Sequence, residues 1–102
     1  MNTNIIKGTT PTLVYTFNTV RIQDITTAVL TVKRSGEIKV ERDLTTATVG
    51  NDKLSWTLTQ AETLAVDGNA TIMLNWVTVD GIRGASAETA VHFSPNHKEQ
   101  VI

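Results

Sequence analysis

The sequence predicts an all-β sandwich, and three observations carry that prediction. Threonine, valine and isoleucine number 18, 11 and 8, so 37 of the 102 residues are β-branched. Such side chains lose rotamer freedom in a helix and pack well on a pleated surface. Stretches of alternating apolar and polar residues are separated by turn-forming residues every ~8–12 positions, a spacing that favours two packed sheets over one open sheet. Finally, 40% of the residues are hydrophobic and the net charge is −1, which suits a chain with a core rather than a disordered one. The length is that of a single domain. Its expected parts are an N-terminal arm over 1–10, the sandwich over 11–94 and a C-terminal tail over 95–102.

Pro11 marks the entry to the first strand, Thr12–Phe17, in which Leu13, Tyr15 and Phe17 share one face. Positions 18–27 read as a loop with Ile25 tucked beneath it. The second strand spans Ala28–Arg34, with Ala28, Leu30 and Val32 facing the core. Ser35-Gly36 is a two-residue hairpin signal leading into Glu37–Leu44, where Ile38 and Val40 are expected inside and Glu37, Lys39 and Glu41 outside. Lys53–Leu58 alternates without an error. The period then breaks at Thr59-Gln60-Ala61-Glu62, a capping box that predicts one or two helical turns over about Gln60–Ala65. A long strand from Asn69 to Val79 carries apolar residues on both rows. Asp80-Gly81 turns the chain into a return strand, Ile82–Phe93, in which Gly84 and Ala85 suggest a bulge.

Six or seven strands and one short helical turn result. The expected core is Leu13, Tyr15, Phe17, Leu30, Val32, Leu54, Trp56, Leu58, Leu64, Ile72, Leu74, Trp76, Val91 and Phe93. Trp56 and Trp76, the largest of these, are expected to be the two costliest truncations.

Little in the sequence points to catalysis, and the expectation is a protein that is not an enzyme. With no cysteine there can be no disulfide, thiolate metal site or thiol nucleophile. His92 and His97 lack metal-ligand spacing, and the serines lack a Gly-x-Ser-x-Gly context. Asp43, Asp52, Glu62, Asp67 and Asp80 fall at turns or a helix cap, where carboxylates have structural roles. No catalytic, cofactor-binding or metal residue is therefore predicted. The balanced charge gives no basic field for nucleic acid, no apolar stretch approaches the ~20 residues of a membrane span, and no secretory leader is expected from the first residues. What remains are apolar residues outside the best core rows. Ile5, Ile6, Met73, Val77, Val79, Val101 and Ile102 are the candidate interface, and the segment 96–102 is expected to order against a neighbouring subunit.

The stretch Ile6–Phe17, with its Lys7-Gly8-Thr9-Thr10 start and aromatic-ended strand, is followed by Asp24-Ile25-Thr26-Thr27-Ala28 leading into the next strand. Leu54-Ser55-Trp56-Thr57-Leu58, the helical turn Thr59-Gln60-Ala61-Glu62-Thr63, Gly68 and Asp80-Gly81 come after. Together, from about Ile6 to Phe93, these resemble the N-terminal domain of phage baseplate upper proteins, a tail module of phages and prophages of Gram-positive hosts. The resemblance implies an Ig-like antiparallel β-sandwich and a structural role in a tail or baseplate. It implies multiple copies, other virion proteins as partners, and a virion location after synthesis in the bacterial host cytoplasm. It implies no cofactor. Family members continue beyond the domain, whereas this sequence ends at Ile102, so a capsid (head) decoration protein is an alternative expectation. A carbohydrate-binding module is another.

Overall fold

A computed structural model describes residues 3–102. The elements run β1 (Thr3–Ile6), β2 (Thr12–Thr16), β3 (Ile25–Arg34), β4 (Glu37–Asp43), β5 (Thr48–Val49), β6 (Lys53–Thr57), α1 (Gln60–Leu64), β7 (Gly68–Thr78), β8 (Arg83–Ala85) and β9 (Thr89–Ser94), with 3-10 turns at Ile22–Asp24 and Leu44–Thr46. Two sheets face each other. One has the order β1-β9-β7-β3-β4, with β8 also on β7, and the other has the order β2-β6-β5. This is an Ig-like β-sandwich. Among the described residues no helix is long and apolar enough to cross a membrane.

Between the sheets lie Leu30, Val32, Leu54, Trp56, Leu58, Leu74 and Phe93, all essentially inaccessible to water. The alternating rows of β3, β6 and β7 account for this directly: one face of each strand points at the other sheet. Trp56 is buried whole because its indole N–H donates to the Asp43 carbonyl at 2.9 Å, so no donor is stranded in the core. Ser35 and Gly36 both have positive φ, 53° and 80°, the two-residue turn whose twist matches that of the flanking strands. Helix α1 has the expected capping box at Thr59 and Glu62.

Several expectations need correction. The segment read as an N-terminal arm is, from Thr3 to Ile6, a strand parallel to β9, so the sandwich is not wholly antiparallel; the first two positions lie outside the described residues. Ile5 faces Phe93 and is a core residue, which removes it from the candidate interface. The cause is tertiary: a four-residue strand carries too little pattern to announce itself, and the partner that fixes it lies almost ninety positions away. Ile38 is half exposed rather than inside. The pairing shifts between Val32↔Val40 and Lys33↔Ile38, and the extra residue at this bulge moves Ile38 to the outer face. Leu13, Tyr15, Leu64 and Trp76 are only partly buried. The predicted loop before Ala28 is shorter, since β3 already begins at Ile25.

The return strand breaks at Ser86–Glu88 rather than at Gly84. There the Ser86 N–H donates to the Leu74 carbonyl at 2.8 Å, and its hydroxyl accepts from the Leu74 N–H at 2.9 Å, standing in for a carbonyl of the ladder. Gly84 is instead a point of close approach. A Cβ there would lie 2.5 Å from the Trp76 indole, so the ring rests on bare backbone.

Candidate functional site

The outer face of the six-stranded sheet is built from the rows opposite the core. On β3 it presents Thr27, Val29 and Thr31; on β7 it presents Met73, Asn75 and Val77. The register places Thr31 beside Met73, Val29 beside Asn75 and Thr27 beside Val77. All three β7 residues are partly accessible. A shallow depression of about 360 Å³ lies over this region, with Val29 and Val77 in its lining and Glu41 and Arg83 of opposite charge beside them. The Arg83 guanidinium donates to Asn75 Oδ1 at 3.2 Å, which holds the cation over the sheet. Threonine and valine at these positions keep the surface low, with short side chains and little relief.

Of the predicted interface residues, Met73 and Val77 lie centrally on this face. Val79, with Ile82, stands exposed at the β7–β8 turn. Ile6 is on the outer side of β1, about half exposed. Val101 and Ile102 are exposed at the far end of the chain, so the structure does not gather the set into one patch. Val14, Ile38 and Val49 are exposed apolar residues that the sequence reading left out. Only Val14 had a legible signal, as the apolar residue between the inward-facing Leu13 and Tyr15.

The segments that follow β1 and β9 meet at Lys7. Its ammonium pairs with Asp67 and with Glu99, the latter at 3.2 Å, although the lysine side chain is only 8% exposed. Its backbone N–H donates to the Ser94 carbonyl at 2.9 Å, and Asn96 Nδ2 donates to the Lys7 carbonyl at 2.8 Å. Gln60 both donates to the Ile102 carbonyl and accepts from its N–H. The segment expected as a loose tail is thus fastened to its own domain, and Val101 and Ile102 are its exposed apolar side chains. The hydrogen bond to Asp67 raises the Lys7 ammonium above its ordinary value, against the opposing effect of burial. Asp67 is lowered, chiefly by Lys7. Glu99 is lowered first by the Asn96 backbone N–H and then by Lys7.

Elsewhere, Asp43 is lowered by the Thr45 hydroxyl and by backbone N–H groups of the turn it caps. Burial raises the Tyr15 phenol. His92 is on the outer face with Nδ1 2.8 Å from Asn69 Oδ1, and His97 is exposed in the last segment. Among the described residues no group of three or more His, Cys, Asp or Glu side chains is placed to hold a metal ion.

No family model matches this sequence, and no curated protein is significantly similar to it. Among solved structures the chain is similar to CopC from Methylosinus trichosporium OB3b. The TM-score is 0.60 at 12% identity, over 95% of this chain and 87% of that one. At that identity the likeness is one of fold.

Proposed function

We propose that this protein is a non-enzymatic structural module of a phage or prophage virion, made in the bacterial host cytoplasm and seated in the tail or baseplate. It docks on neighbouring virion proteins through the outer face of the six-stranded sheet. The observation that carries this reading is that face itself. Val29, Met73 and Val77 form an accessible apolar centre on a rigid sheet, beside the opposed charges of Glu41 and Arg83. The resemblance of Ile6–Phe93 to baseplate upper protein domains supports the virion assignment. Many copies, each with a modest interface, gain avidity when held in one lattice.

The test is retention. Particles from a lysogen carrying the tagged chain are separated into tails and heads, and the tag is expected with the tails. Recovery with purified heads selects the decoration reading instead, and absence from both overturns the virion assignment. Val77→Lys, whose aliphatic stem still covers the sheet, is expected to keep the wild-type circular dichroism spectrum while lowering incorporation by about tenfold.

A further inference from the structure

The small sheet leaves one long edge unpaired. β2 runs Thr12-Leu13-Val14-Tyr15-Thr16 without charge, proline or glycine. The parity of its pairing with β6 follows from the bonds that flank it. The Leu58 N–H donates to the Pro11 carbonyl at 2.9 Å, and the Phe17 N–H donates to the Asp52 carbonyl at 2.7 Å. Odd-numbered residues therefore turn their peptide groups to β6, and Thr12, Val14 and Thr16 turn theirs away from it. Among the described residues none takes these outward N–H and C=O groups. In Ig-like sandwiches the first strand can occupy this position. Here β1 lies on the other sheet, against β9. A groove of about 310 Å³ opens where that strand would be, lined by Leu13, Tyr15, Ile72 and Val91 with Thr3 and Thr89 beside them.

We propose that β2 pairs antiparallel with β2 of a second copy of this chain, about a two-fold axis through Val14. In that register Val14 faces its own equivalent and Thr12 faces Thr16. These are hydrogen-bonded pairs, so each strand's outward N–H groups at Thr12, Val14 and Thr16 meet the other strand's outward carbonyls, and no peptide group on the edge is left over. The side chains fit the same axis. Threonine lies against threonine and valine against valine on the outer row, both favourable cross-strand pairs. On the inner row Leu13 meets Tyr15, over the groove whose floor includes Ile72 and Val91. No charged residue lies on the strand, so no like charges meet across the axis. The other long edge, β4, carries Glu37, Lys39, Glu41, Arg42 and Asp43, the kind of edge that resists pairing. One strand pair is a small interface, so the equilibrium is concentration-dependent. The inference does not depend on the virion reading, and its test needs no particle.

Sedimentation equilibrium of the full chain up to about 1 mM is expected to show a monomer–dimer equilibrium. Val14→Pro removes an outward N–H and no bond to β6, a place where an edge strand tolerates proline. It is expected to keep the wild-type circular dichroism spectrum and lose the dimer. Val14→Lys sets two ammonium groups across the axis and is expected to weaken association by about tenfold, with partial recovery in high salt. If the proline variant unfolds, the lysine variant decides. A chain that stays monomeric throughout, or a dimer that folded Val14 variants leave unchanged, overturns the proposal.

Discussion

Trp56 and Trp76 look alike in the sequence, each the aromatic in an alternating strand, and the structure separates them. Trp56 is 1% exposed and its indole N–H is satisfied by Asp43. Trp56→Ala should therefore cost about 3–5 kcal/mol, a large part of the ~5–15 kcal/mol that such a domain has. Trp76 is only partly buried. Its ring meets Phe17 edge-on, with centroids 5.0 Å apart and planes at 87°, and covers Gly84. Trp76→Ala should cost roughly half as much as Trp56→Ala, and a urea titration of the two variants checks the order. Gly84→Ala forces the Trp76 ring off its seat and should cost about 1–3 kcal/mol. The same substitution in a Trp76→Ala background should cost much less, because the clash is gone; an equal cost in both backgrounds would place the strain elsewhere.

At the scale of elements, α1 shows how a local motif is put to a second use. Glu62 Oε1 accepts from the Thr59 N–H at 2.8 Å, closing the capping box, and also from Arg42 Nη1 at 2.8 Å. Arg42 in turn donates to the Thr57 carbonyl and to the Thr46 hydroxyl. One carboxylate thus caps the start of a five-residue helix and anchors the edge strand β4 of the opposite sheet. Glu62→Ala should destabilise by about 1–2 kcal/mol. Glu62→Gln keeps a cap acceptor and gives up the ion pair, so its thermal melt should fall between the other two. The Thr-x-x-Glu spacing made the cap readable. Arg42 as partner was not readable, because it lies twenty positions upstream and is brought in by the packing of the sheets.

For the whole molecule, the tie at Lys7 joins β1, the end of α1's loop and the last segment. Its pH dependence follows from the directions of the shifts. Asp67 and Glu99 are lowered on folding, so their contribution is full above the ordinary carboxylate range and is lost as pH falls through and below about 4. Lys7 is raised, so its contribution is full below its ordinary value of 10.5 and is lost as pH rises beyond it. Lys7→Met should flatten both limbs of a melting-temperature-against-pH curve while leaving the neutral region stable enough to measure. Unchanged limbs would mean that the pairs contribute nothing.

Local pattern carried the architecture. The strands from Thr12 to Phe93, the Ser35-Gly36 and Asp80-Gly81 turns, and the helix cap each depend on residues within a few positions of one another, where period and backbone preference act directly. The candidate surface was legible only in part. Met73 and Val77 could be read as the apolar members of an outward row, but Ile5 could not be told from Ile6 until β9 was beside them. The bulge that turned Ile38 outward, the burial of Lys7, the half-exposure of Trp76 and the free edge of β2 were all decided by tertiary structure. Each depends on which distant strand lies alongside, and a pleated strand has the same sequence signature whether its edge is paired, capped or open.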